Sequence, residues 1–195
     1  YWEFNTRTEI RLSSEAEYIE AFNDKLDIAV KRRLRTSYNI AAELSGGLDS
    51  SAVVHHLHKQ IGNDFHPFSL TPFSKDFDFM SERSYVTPFS EAKGLNVNFL
   101  DGTERSMHEA LEWNLRTQDE PLRDMNGMFR DIIYEQCRAK NSRVLFSGFG
   151  GQEMTSSAIN ITLELLGTGQ FRDFWNEVKQ RSRIDGEKIL TNLVK

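Results

Sequence analysis

Only one cysteine, Cys137, occurs in 195 residues, which rules out an internal disulfide framework and any all-cysteine zinc cage. A lone thiol suits a reducing compartment. No uninterrupted apolar run approaches the ~18 residues that span a bilayer, so no membrane partner is expected. Positive charge is not in excess either. Lys and Arg number 24 against 29 Asp and Glu, a formal net charge of −5, so there is no global electrostatic case for nucleic acid. The basic cluster Lys31-Arg32-Arg33-Leu34-Arg35 follows Glu15, Glu17, Glu20 and Asp24 on one expected helix. Acids early and bases late complement the helix dipole, so the cluster reads as a solvated face. His55, His56 and His58 have no metal-triad spacing with the cysteine, and no zinc site is expected. The chain opens on Tyr1-Trp2-Glu3-Phe4, with neither an initiator Met nor a basic, apolar secretion signal. The expectation is the middle part of a longer, cytoplasmic protein.

What is present alternates. Ser14 with Glu17 forms a capping-box pattern, and Ile19, Phe22, Leu26, Ala29, Val30 and Leu34 recur at helical spacing to about Arg35. Tyr38 to Leu44 reads as a buried strand and Ser50 to Lys59 as the next helix. His66 to Leu70 reads as a second strand, with Pro67 confining it to a start or an edge. Glu82 to Lys93 reads as a helix closed by Gly94, with Pro88 counting against its continuity. Leu95 to Leu100 alternates like a third strand. Helices are expected over 105–117 and 125–140, and a fourth strand over 143–146. After it, 153–166, 170–182 and 187–194 read as helix, and Phe171, Phe174 and Trp175 read as core aromatics.

This pattern implies an α/β fold, a doubly wound, mainly parallel sheet with a helical C-terminal segment. The expected division is 1–37 as linker and leading helix, 38–151 as the α/β core, and 152–195 as the helical segment. In such a sheet, ligands lie beyond the carboxyl ends of the strands. Two glycine turns open onto that edge, one after the first strand and one after the fourth.

The first, Ser45-Gly46-Gly47-Leu48-Asp49-Ser50-Ser51, lacks the Lys of a Walker loop and the spacing of a dinucleotide fingerprint. It offers adjacent glycines able to form an anion-binding nest, three serine hydroxyls, and the positive end of the following helix. Asp49 would repel phosphate unless a divalent cation lies between them, which points to Mg2+. The plain alternative is a strand–helix turn with capping serines.

S-G-G-L-D-S-S resembles the pyrophosphate loop of the N-type ATP pyrophosphatases. The flanks are similar to the synthetase domain of asparagine synthetases, an adenine nucleotide α-hydrolase-like fold. The supporting stretches are His66-Pro67-Phe68-Ser69-Leu70, Glu82-Arg83-Ser84-Tyr85, Asp119-Glu120-Pro121 and Val144-Leu145-Phe146-Ser147-Gly148-Phe149-Gly150-Gly151, together with Tyr1-Trp2. The resemblance implies ATP-dependent amide formation through an acyl-adenylate, with release of AMP and pyrophosphate. It implies Ser45, Gly46, Gly47, Asp49, Ser50 and Ser51 around pyrophosphate and Mg2+, with Asp49, Ser45 and Ser51 in the catalytic role. Leu44 and Leu70 would flank adenosine, and Ser147 and Gly148 would approach ribose and phosphates. Tyr1-Trp2 is similar to the junction after that family's glutaminase domain, which implies such a domain ahead of this stretch.

The second turn departs from the family's S-G-x-G-x-D-E. Gln152 stands where that pattern has a metal-binding aspartate, and Glu153 follows it. Gln152 and Glu153 are therefore the candidate metal ligands beside Asp49, and an amide oxygen brings no charge to Mg2+. Phe149 occupies a position that the resemblance fills with an acid, or with a base-assisting tyrosine in the β-lactam-forming relatives, and phenylalanine cannot exchange a proton. No lysine after this turn matches the family's catalytic one. The tail from Leu163 to Trp175 resembles divergent members of peptide biosynthesis, including lasso-peptide macrolactam synthetases. The expected substrate is thus a small-molecule carboxylate or a precursor peptide. Asp119, Glu120, Arg123 and Asp124 either recognise an amine or carboxylate or form a solvated turn. A degenerate nucleotide-binding domain is the alternative function. A tRNA-thiolating pyrophosphatase shares S-G-G-x-D-S, but the single cysteine and acidic balance count against it.

Overall fold

The computed structural model describes residues 10–71, 82–101, 106–118, 125–151 and 161–185. They fall in two compact units, one reaching to Gly148 and the other starting at Phe149. The first unit holds β1 (Asn39–Glu43), β2 (His66–Leu70), β3 (Asn98–Leu100) and β4 (Ser142–Phe146), all parallel, in the order β3-β2-β1-β4. Its helices are α1 (Glu15–Arg33), α2 (Leu48–Ile61), α3 (Arg83–Lys93), α4 (Met107–Gln118) and α5 (Met125–Ala139). The doubly wound parallel α/β class expected from the alternation is the one observed.

Period-two alternation divides the core between the two faces of the sheet. Ile40 and Ala42 from β1, Leu44 just after it and Phe146 from β4 pack with Val30 of α1, Val54 and Leu57 of α2, and Val86 of α3. On the opposite face Ala41 and Phe68 meet Ile133 and Cys137 of α5, and α4 lies against α5. The chain steps outward from β1 through β2 to β3, then returns to the other side of β1 as β4. The reversal of strand order therefore lies between β1 and β4, where open α/β sheets bind ligands.

Local chemistry sets the element ends. The Glu17 N–H donates to the Ser14 hydroxyl, while the Glu17 carboxylate accepts from the Ser13 N–H and hydroxyl at 2.9 and 2.6 Å. The apolar stripe of α1 is used only from Leu26 onward; Ile19 and Phe22 stay 55% and 52% exposed. Pro88 does not break α3, and it lies on the exposed side. β3 is shorter than its alternation suggests because the Leu95 N–H is taken by the Ser90 carbonyl, closing α3, so pairing with β2 starts at Asn98. A clasp binds α1 to α2. The buried His56 ring meets Asp27 through Nδ1 at 2.5 Å and Asn23 through Nε2 at 3.2 Å, and Lys59 pairs with the same Asp27.

In the second unit α6 (Ile161–Gly167) and α7 (Phe171–Asp185) follow one another. Phe174 and Val178 are buried, whereas Phe171 and Trp175 remain 60% and 48% exposed. Of the three aromatics expected in the core, Phe174 alone is buried. The expected helix over 187–194 and the first residues of 153–166 lie outside the described residues. Among the described residues no helix is long and apolar enough to cross a membrane.

Candidate functional site

The first glycine turn joins β1 to α2 at the reversal point. Leu44 still belongs to the sheet, its N–H donating to the Phe68 carbonyl at 2.8 Å. Beyond it, two hydroxyls organise the backbone. The Ser50 hydroxyl accepts from the Ser45 N–H at 3.2 Å and donates to the Gly47 carbonyl at 3.2 Å. The Ser45 hydroxyl lies 2.9 Å from that of Ser50 and accepts the Gly47 N–H at 3.3 Å. Every donor in this ring has an acceptor. The two serines thus hold the turn's shape themselves.

α2 begins at once, and the Ser51 N–H makes its first backbone bond, to the Gly47 carbonyl at 3.0 Å. The amides of Leu48, Asp49 and Ser50 precede that bond, so the helix contributes none of their acceptors. Asp49 is half-buried in this first turn, where a carboxylate also complements the helix dipole.

Gly46 sits at φ +77°, and a Cβ there would come within 2.5 Å of the Tyr85 Cβ and 3.0 Å of its backbone carbon. The first turn of α3 is thereby seated against the loop. Glu82, at the head of α3, is desolvated, and burial pushes its carboxyl up to about 7.

The second turn closes on the first. A Cβ on Gly148 would lie 2.5 Å from the Ser50 nitrogen and 2.9 Å from the Asp49 carbonyl carbon. Only glycine lets β4's exit approach the N-terminus of α2 this closely. Beside it the Ser147 hydroxyl donates to Glu43 Oε2 at 2.5 Å.

Of the residues expected at the site, Ser45, Gly46, Gly47, Asp49, Ser50, Ser51, Ser147 and Gly148 share this edge of the sheet. Leu44 and Leu70 are at strand ends, but their side chains lie on opposite faces. Leu44 is 1% exposed in one core cluster, and Leu70 packs on the other. A ligand near Leu44 would meet its main chain alone. Gln152, Glu153, Asp119, Glu120, Arg123 and Asp124 lie outside the described residues. Among the described residues no cluster of three His, Cys, Asp or Glu side chains could hold a metal. Asp49 is nonetheless the kind of donor Mg2+ takes, a hard carboxylate oxygen.

Two residues escaped the sequence reading. Glu43 is the single acid in the otherwise apolar end of β1, and that interruption was its available signal. The seat of Tyr85 against Gly46 had none. Cys137, buried at 7% exposure, faces the Glu43 side of the sheet; burial first, and then that carboxylate, push its thiol up to about 11. It is an inert core residue.

Residues 21–187 match the family model described as asparagine synthase. The chain is 30% identical over 166 residues to amidase chry2 of Gibberella zeae, covering 78% of this chain and 25% of that protein. It is 28% identical over 190 residues to a putative asparagine synthetase (glutamine-hydrolyzing) of Methanocaldococcus jannaschii, covering 97% and 35% respectively. It is 33% identical over 138 residues to the asparagine synthetase (glutamine-hydrolyzing) of Rattus norvegicus, covering 67% and 24%. The chain spans about a quarter to a third of the length of these relatives. A strand–turn–helix nest closed by a second glycine turn at the reversal of a parallel sheet, together with this match, places the chain in the asparagine synthase family.

Proposed function

We propose that this edge of the sheet binds ATP with Mg2+ and serves ATP-dependent amide-bond formation. The observation that carries the reading is the abutment of the two glycine turns, Gly148 against Ser50, around a turn whose serines are already satisfied by one another. The remaining first-turn amides of α2 are then the donors for a polyphosphate. In the proposed reaction a carboxylate oxygen attacks the α-phosphorus of ATP and pyrophosphate leaves. An amine nitrogen then attacks the acyl carbon, AMP leaves with the bonding pair, and the amine's proton passes to solvent. Mg2+, when bound, neutralises the pyrophosphate charge. The protein's part is to fix the phosphates and the carboxylate in register. Asp49 would hold the metal, with Gln152 and Glu153 as its expected partners, and Ser45 and Ser51 would line the pyrophosphate. The acyl substrate is a small-molecule carboxylate or a precursor peptide, the latter closing to a macrolactam. A glutaminase-like N-terminal domain is the proposed partner, and a cytoplasmic location goes with ATP use.

Pyrophosphate release from Mg2+–ATP in the presence of candidate carboxylates tests the proposal. Asp49→Ala should lower the rate by roughly 10²-fold or more, in the range of a lost transition-state charge contact. Release unchanged in that variant would overturn the assignment.

Phe149 and Gln152 favour a second reading, a nucleotide-binding domain that has lost catalysis. Phe149 is 82% exposed and offers no proton-exchanging group. On this reading Gln152→Asp should tighten Mg2+ binding measured by calorimetry; an unchanged affinity counts against it.

A further inference from the structure

Nothing in either glycine turn's own sequence accounts for what holds the second turn in place. β1 and β4 pair in parallel with Ala41 opposite Leu145 and Ala42 opposite Phe146. Continuing that register sets Glu43 opposite Ser147. Their side chains emerge on the face that carries Ala41, Ile133 and Cys137, away from α2. There the Ser147 hydroxyl donates to Glu43 Oε2 at 2.5 Å, the short length typical of a hydroxyl donating to a carboxylate.

Glu43 is an expensive choice at this position. It is half-buried at the end of a strand whose preceding residues Ile40, Ala41 and Ala42 are buried, beside a thiol whose ionisation it opposes. It also sets a negative charge on the strand that delivers the phosphate nest. An apolar residue would pack there without desolvating a carboxylate. What the carboxylate adds is one strong acceptor aimed at the residue before Gly148.

We infer that Glu43 is a positioning residue of the nucleotide site, holding Ser147 so that the Gly148 backbone stays seated against Ser50. The inference rests on the proposed nucleotide reading and deepens it. Glu43 acts through Ser147, whose hydroxyl hydrogen bond it accepts. If it served only as a nearby charge, removing that charge would strengthen anion binding. If it positions the turn, removing the acceptor weakens binding. The two roles therefore differ in sign.

The test is Mg2+–ATP binding by calorimetry on the full chain, with melting temperatures recorded alongside. Glu43→Ala should weaken binding by roughly ten-fold or more, the scale of a lost hydrogen bond to a charged group. Ser147→Ala should match it, and the double variant should be no worse than either single one. Glu43→Gln, whose amide oxygen can still accept from Ser147, should recover most of the affinity and guards against misfolding of the alanine variant. Wild-type affinity in Glu43→Ala, tighter binding in Glu43→Gln than in the wild type, or additive losses in the double variant would each overturn the assignment. Failure of the wild-type chain to bind Mg2+–ATP would overturn the nucleotide reading itself, and the assignment with it.

Discussion

The two glycine turns end neighbouring strands and meet at one point, yet they are held by different means. The turn after β1 is built from its own residues, with Ser45 and Ser50 exchanging hydrogen bonds across five positions. The turn after β4 reaches 98 to 104 positions across the chain, Gly148 to Ser50 and Ser147 to Glu43. The first is shaped by its own hydroxyls and seated on α3 through Gly46. The second takes its place from the sheet and from the first turn. A substitution at Glu43 should therefore be felt at the second turn 104 positions away, because residues in direct contact are energetically coupled.

The sharpest way to break this comparison is Gly148→Ala. The new Cβ would meet backbone atoms of α2 at 2.5 to 2.9 Å, and neither β4 nor the helix start can give way cheaply. A loss of about 3 kcal/mol in denaturant unfolding is expected, at the upper end of overpacking penalties. Nucleotide binding should fall with it. Wild-type stability in this variant would show that the two turns do not abut.

Gly46→Ala should come next, at about 2 kcal/mol. It combines a left-handed backbone angle of +77° with a Cβ contact at 2.5 Å to the Tyr85 Cβ, an atom that a second substitution can remove. Pairing it with Tyr85→Gly should restore part of the loss; no recovery would mean that backbone strain alone carries the effect.

Ser50→Ala should cost about 1–2 kcal/mol, since it leaves the Ser45 amide and the Gly47 carbonyl without the hydroxyl they share. The Ser147–Glu43 bond lies outside the Ser45–Ser50 ring, so amide exchange at Ser147 and Gly148 should rise less than at Ser45 and Gly47 in this variant. If exchange at Ser147 and Gly148 rises as much as at Ser45 and Gly47, the proposed independence of the two turns is wrong.

The same contrast explains what was legible in the sequence. The S-G-G-L-D-S-S turn, the strands around it and the parallel winding follow from local chemistry and period-two burial, and they could be read without coordinates. Gly148 could be read as a site residue, but its reason, contact with Ser50, could not. The pairs Asp27–His56 and Glu43–Ser147 link positions 29 and 104 apart, and no local pattern joins such residues. The strand reading over Leu95–Val97 failed because the Leu95 amide was claimed by the end of α3. Ile19 and Phe22 kept a helical period without gaining cover, because periodicity fixes a face and does not say what meets it.

The smallest effect expected concerns the seat of α3 on the first turn. Burial raises the Glu82 carboxyl to about 7, above its ordinary value of 4.5, so the folded chain binds the proton more tightly than the unfolded one. Stability from this group is therefore fully present below about 4.5 and is lost as pH rises toward 7. Glu82→Gln removes that loss. It should leave the melting temperature nearly unchanged at low pH and raise it by a degree or two above pH 7, on the order of a partly exposed group's contribution. Since α3 touches Gly46, the charged form should speed amide exchange at Gly46 and Gly47 more than at Ser147 and Gly148. Equal changes in both turns would mean that Glu82 acts on the whole unit, and the first turn would then lose its claim to a separate seat.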